Sequence, residues 1–299
     1  MNRRGLGVAA AGLALLTPAA WALGYLPAPI GLWIGRRLGD LAWFVLPRRR
    51  AVTLDNLRLA WRSGGEPEEL HRIGRRSFQH IGMNLVEACV FMFRPPEVLL
   101  DRIGIEGLEH LKDAAVQGRG VLVLTAHLGN WELLAASHAM TGLPLSVVLR
   151  PLDHPALDRV VDRLRRRSGA ELISKRRALR DVLDALRRGR MVGILLDQNA
   201  VRAEGVFVPF FGTPASTSRS LAVIALRTEA PVVPIFISRL PGGRHLVKVL
   251  PAMQPPTDGD VVAFTARFSG VIEEAIRRSP EQWFWLHRRW KTRPRAGVA

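Results

Sequence analysis

The chain divides by the way its apolar residues are spaced. After Arg4 no charged residue occurs from Gly5 through Gly35. Gly5 to Leu26 reaches the roughly 20 apolar residues of a spanning helix, with Pro18 inside it. Apolar residues resume at Ile30-Gly-Leu-Trp-Ile34 and Leu41-Ala-Trp-Phe-Val-Leu46, and the run stops at Pro47-Arg48-Arg49-Arg50. Trp21, Trp33 and Trp43 with basic flanks suit a segment at a membrane interface. A cleaved signal peptide ending at Ala20-Trp21-Ala22 is the alternative, but it would not need the continuation to Leu46. Residues 1–50 are therefore assigned to a membrane anchor or interfacial segment, and residues 51–299 to the main domain.

Residues 51 to 94 take helical spacing. A Gly64-Gly65 loop separates two helices, the second carrying Leu70, Ile73, Phe78, Ile81, Leu85 and Val86 at intervals of three and four. Pro95-Pro96 ends it. Short helices are expected over 97–118, punctuated by Gly104 and Gly107. From Gly118 the pattern alternates. Apolar runs at 120–126, 145–150, 191–197, 231–238 and 245–250 predict strands. Amphipathic stretches at 131–140, 158–167, 176–188, 218–229 and 261–278 predict helices. Pro241-Gly242-Gly243 marks a hairpin. The expected fold class is α/β, a mixed β-sheet flanked by helices, behind a helical N-terminal segment. His127, Arg150 and Asp197 each follow a strand, which predicts a site along one sheet edge.

Charge sharpens this picture. Lys and Arg number 43 against 26 acidic residues, a net charge of +17, mostly from Arg. Such a surface suits an anionic partner: nucleic acid, phospholipid or an acidic carrier protein. No nucleic-acid motif is present, and the aromatics gather near the N-terminus and the tail, so a nucleic-acid partner is not expected. Cys89, the single cysteine, excludes an intramolecular disulfide and a cysteine metal cluster.

The candidate chemistry lies in Val121-Leu-Val-Leu-Thr-Ala-His-Leu-Gly-Asn-Trp-Glu132, a strand, a sharp turn and a helix start. Across that corner His127 and Glu132 can meet, with the imidazole taking a proton from a hydroxyl and the carboxylate holding its other nitrogen. A helix capped by Asn130, with Glu132 in its first turn, is the structural alternative. There is no G-x-S-x-G elbow, H-E-x-x-H zinc motif or P-loop. A dyad without a covalent nucleophile implies direct transfer of an activated group; hydrolysis on the same dyad is the rival.

His-Leu-Gly-Asn-Trp-Glu at 127–132 resembles the H-x4-D/E signature of glycerolipid acyltransferases. Leu149-Arg150-Pro151, Leu196-Asp197-Gln198-Asn199 and Phe207-Val-Pro-Phe-Phe-Gly-Thr-Pro-Ala-Ser-Thr217 resemble the Y-R-P, P-D-Q-D and F-x-P-F-F-x4-A-x-T blocks of the bacterial lipid A secondary acyltransferases. The tail Pro280-Glu-Gln-Trp-Phe-Trp-Leu-His-Arg-Arg-Trp-Lys-Thr-Arg-Pro294 resembles their last block almost residue for residue. The resemblance implies transfer of an acyl chain from acyl carrier protein or acyl-coenzyme A to a hydroxyl of a lipid A precursor, at the cytoplasmic face of the inner membrane, with no other cofactor and no metal. It implies His127 as general base and Glu132 as its partner. Substrate contacts are expected from Arg150, Asp197, Gln198, Asn130 and Arg167, the last in a basic stretch suited to carrier protein or lipid phosphate. Asn199 and Leu149 depart from the family pattern. Gly129-Asn130-Trp131 is closer to relatives that acylate other glycolipids, which keeps phosphatidylinositol mannosides and lysophospholipids open as acceptors.

Overall fold

The computed structural model describes residues 17–62, 64–149, 162–174 and 178–295. Arg150, the start of the helix expected over 158–167 and the first part of the expected anchor lie outside the described residues.

Four helices come first: α1 over 17–25, α2 Ala28–Val45, α3 Pro47–Ala60 and α4 Pro67–Phe93. Proline opens α3 and α4, where its missing N–H costs nothing. One face of α2 carries Gly31, Gly35 and Gly39, all buried against α4. A Cβ on Gly35 would lie 2.7 Å from the Met83 Cα, so these positions let the two backbones touch. The opposite face of α2 exposes Ile30, Trp33, Leu41, Phe44 and Val45, with Trp33 60% and Phe44 63% accessible. Among the described residues no helix is long and apolar enough to cross a membrane.

Then follow α5 Glu97–Leu100, β1 Ile103–Glu106, α6 Leu108–Ala115, β2 Val121–Thr125, α7 Trp131–Ala136, β3 Leu145–Leu149, α8 over 162–167, β4 Glu171–Ser174, α9 Ala178–Arg187 and β5 Met191–Leu195. The chain continues through β6 Gly205–Phe210, β7 Thr213–Ser218, α10 Ser220–Thr228, β8 Val232–Arg239, β9 His245–Val249 and α11 Val261–Arg278. Seven strands form one sheet in the order β1-β9-β8-β2-β5-β3-β4, and every neighbouring pair is parallel except the β8–β9 hairpin. The sheet is mixed, as its apolar runs predict. β2 lies near its middle and is buried along its whole length, which is why Val121–Thr125 shows no polar alternation.

Two features depart from the sequence reading. The edge strands β1 and β4 are four residues each, too short to give a periodicity, and β1 contains Gly104. β6 and β7 form a separate two-stranded ribbon in which Pro209 pairs with Pro214. Proline argues against a central strand, but a two-stranded ribbon has only edges. One core layer joins the sheet to α9, α10, α11 and the tail tryptophans, with Leu124, Phe236, Phe264, Phe268 and Trp285 inside. The other layer packs Val123, Val147, Ile235 and Val247 against α6, α7 and the end of α4.

Candidate active site

β2 and β5 pair in parallel with Thr125 opposite Leu195. Equal offsets beyond that register bring His127 and Asp197 side by side. Asp197 Oδ1 lies 2.8 Å from His127 Nδ1, and its Oδ2 accepts from the His127 backbone N–H at 2.9 Å and from Trp283 Nε1 at 2.7 Å. Burial pushes the Asp197 carboxyl upward, but the His127 ring and these donors outweigh it and hold it down at about 2. An ionised carboxylate only accepts, so the ring proton sits on Nδ1 and Nε2 presents a lone pair. Trp131 and Phe284 flank the ring at 5.2 and 6.2 Å between centroids.

Glu132 is not the ring's partner. Its carboxylate accepts a forked set of bonds from Arg165 on α8, with Nε at 3.0 Å from Oε2 and Nη2 at 2.6 Å from Oε1. Five residues around the turn swing Glu132 onto the α8 side of α7, while the strand register brings Asp197 to Nδ1. The turn is sharp because Gly129 has φ 59°, and a Cβ there would run into the Ile237 carbonyl. Asn130, a substrate contact in the sequence expectation, is buried with both ends of its amide engaged. Its Oδ1 caps α7 by accepting from the Leu133 N–H at 3.1 Å, and its Nδ2 donates to Glu87 at 2.6 Å. Arg167 is likewise committed: its guanidinium donates to the carbonyls of Phe91 and Arg94 at 2.7 and 2.8 Å, closing the end of α4. Arg150 is outside the described residues.

Gln198 remains at the site, with its Nε2 3.4 Å from His127 Nε2. The tail fixes the loop that carries it. The buried Arg289 donates to the carbonyls of Gln198 and Ser216 at 3.2 and 2.7 Å. The Asn199 N–H donates to His287 Nε2 at 2.9 Å, and burial pushes the His287 imidazole down to about 4, so it serves as an acceptor. Asn199 also donates to Thr292 Oγ1 and accepts from the Thr292 N–H. The bridge between Leu128 and Trp283 then lays the tail along the His127–Asn130 turn.

Between α7 and the sheet runs an apolar cleft. Glu132 and Arg165 stand at one end, and Thr125, Leu195, Gly193 and Met191 line its length. From the level of Leu195 to that of Met191 is about 13 Å at the rise of a strand. Gly193 widens the middle, since a side chain there would project toward Leu145 and Val147.

Sequence reasoning missed Arg165 as the Glu132 partner, Asp197 as the His127 partner, and the Asn84, Glu87 and Arg239 group behind the turn. Glu87 had a visible signal: it is the lone acid in Leu85-Val-Glu-Ala-Cys-Val-Phe91.

Residues 8–292 match the family described as bacterial lipid A biosynthesis acyltransferase. The lipid A biosynthesis lauroyltransferase of Escherichia coli (strain K12) is 32% identical over 277 residues, covering 92% of this chain and 89% of the relative. The palmitoleoyltransferase of the same organism is also 32% identical, over 279 residues, with 92% and 89% covered. Its myristoyltransferase is 28% identical over 290 residues, with 96% and 86% covered.

Proposed function

This chain belongs to the bacterial lipid A biosynthesis acyltransferase family, and from that premise we propose a direct transfer of a fatty acyl group from an acyl thioester to a hydroxyl of a lipid A precursor, with His127 as general base. It is an acyltransferase. The observation that carries the mechanism is the Nδ1 contact to Asp197, which leaves Nε2 as the proton acceptor. In the proposed step the acceptor hydroxyl gives its proton to Nε2 as its oxygen attacks the thioester carbon. The C–S bond then breaks, and the imidazolium returns the proton to the leaving thiolate. Asp197 stabilises the imidazolium, and general-base assistance of this kind contributes about 10²–10⁴-fold.

Glu132 acts in this reading by holding Arg165 at the end of the cleft, where a guanidinium can meet a carbonyl oxygen or a phosphate. The cleft takes the acyl chain. The exposed apolar face of α2, with Arg36, Arg37 and Arg48 to Arg50 nearby, rests on an anionic membrane surface. The acidic surface expected of an acyl carrier protein favours it as donor against the basic residues of α8 and α9.

The test is transfer by the purified full chain, read by mass spectrometry. Acyl carrier protein and coenzyme A thioesters are offered in turn, with a lipid A precursor or a lysophospholipid as acceptor. Acylated lipid A precursor, lost in His127→Ala, is expected. Free fatty acid released equally with and without acceptor would mean a hydrolase. Acylation of the lysophospholipid alone would move the acceptor to another lipid class.

A further inference from the structure

Behind the catalytic turn lies a buried group of charged and polar side chains. Glu87 on α4 and Arg239 at the end of β8 form a two-pronged ion pair: Arg239 Nη1 donates to Oε1, and Nη2 to Oε2 at 2.8 Å. His245, at the start of β9, places Nε2 2.9 Å from Oε1 and 3.4 Å from Arg239 Nη1. Asn130 Nδ2 takes the remaining place on Oε2 at 2.6 Å. Each oxygen of Glu87 therefore has two partners, and burial raises the value of each.

The same group reaches Gly129 from both sides. Asn84, one turn before Glu87 on α4, donates to the Gly129 carbonyl at 2.7 Å, while its Oδ1 accepts from Arg239 Nη2 at 2.6 Å. The Gly129 N–H donates to the Gln282 carbonyl at 3.0 Å. Gln282 in turn brackets the Arg239 backbone, accepting from its N–H at 2.7 Å and donating to its carbonyl at 3.0 Å. Gly129 and Asn130 thus have three tethers, and all three lead to the Glu87–Arg239 pair. That turn sets both the His127 ring on one side and the start of α7, with Glu132, on the other.

We propose that Asn84, Glu87 and Arg239 are positioning residues for acyl transfer, fixing the Gly129–Asn130 turn so that His127 and the Arg165 held by Glu132 face one substrate. The inference rests on His127 acting as the base. None of the three meets substrate in this reading; they act through the turn. A buried ion pair is weak evidence for stability as such. A displacement of about 1 Å at a reacting group can cost on the order of 10²-fold in rate.

Glu87→Gln or Arg239→Met leaves a buried charge unpaired and risks the fold, so Asn84 carries the test. Asn84→Ala removes the bond to Gly129. Asn84→Asp keeps an acceptor for Arg239 but has no N–H for the Gly129 carbonyl. Both are compared with wild type and His127→Ala for kcat, for KM toward each substrate, and for folded fraction by circular dichroism. Expected is a fall in kcat of about 10- to 100-fold in both Asn84 variants, with KM within about threefold and the folded fraction unchanged. A lost structural contact alone would lower thermal stability and leave the rate per folded molecule intact. Wild-type kcat per folded molecule in both variants, with His127→Ala inactive, overturns the positioning proposal alone. An active His127→Ala overturns the assignment of the base instead. If neither Asn84 variant folds, Asn130→Ser, whose hydroxyl oxygen serves the α7 cap and is one atom too short to replace the amide nitrogen at Glu87, must show the same kcat loss, and wild-type kcat there overturns the proposal.

Discussion

Asp197→Asn changes almost no volume and removes one charge. Oδ2 of Asp197 faces two donors, the His127 backbone N–H and Trp283 Nε1. The asparagine oxygen must take that place, because an NH2 group there would leave two buried donors without acceptors. The NH2 then falls on His127 Nδ1, which must become the acceptor, and the ring proton moves to Nε2. A base with its proton on Nε2 cannot accept another from the acceptor hydroxyl. The expected fall in kcat is roughly 10²–10⁴-fold, which corresponds to about 3–5 kcal/mol of transition-state stabilisation. Stability falls too. The carboxyl is held at about 2 against an ordinary 3.8, which corresponds to about 2 kcal/mol present above pH 4 and lost as pH falls toward 2. The assay is steady-state acyl transfer at pH 7 together with a thermal melt. An Asp197→Asn protein with kcat within threefold of wild type and an intact melt would refute the assignment of the ring partner.

Acid should weaken the fold in two steps. His287 and His80 are pushed by burial from 6.5 down to about 4 and about 3, so the unfolded chain takes up protons that the folded one refuses. Their contribution is complete above pH 6.5 and declines below it, and Glu87, held at about 2 against 4.5, adds its loss below pH 4.5. A melting temperature that rises between pH 7 and pH 5 contradicts this. Gly193→Leu fills the middle of the cleft, so the preference for long over short acyl thioesters, read as a ratio of kcat/KM, should fall at least about tenfold; an unchanged ratio places the chain elsewhere. Trp33→Glu with Phe44→Glu removes two exposed apolar side chains from α2, and binding of the full chain to anionic vesicles should drop about tenfold or more; equal co-sedimentation rejects α2 as the contact.

The relation between sequence and fold is uneven along the chain. β2, β5 and β8 announce themselves because strands buried on both faces are unbroken apolar runs. α4 is legible from its spacing and from Pro95-Pro96. β4 is four residues long at the sheet edge, and the β6–β7 ribbon hides behind Pro209 and Pro214, so local pattern carries no signal for either. Asn199 reads as a departure from a family block, and its pairing with Thr292 in the tail is visible only in the fold.

The sequence by itself determined the class of fold, the strand ends where the chemistry gathers, and the blocks that tie the chain to its family, because these depend on residue type and local spacing. Pairing was decided elsewhere. That His127 turns to Asp197 follows from the parallel register of β2 and β5, residues 70 apart in the chain. That Glu132 turns to Arg165, that Asn130 turns inward to Glu87, and that Arg167 closes the end of α4, follows from how α4, α7 and α8 pack. A side chain's partner depends on which atoms the fold brings within about 3 Å, and no interval along the sequence encodes that distance.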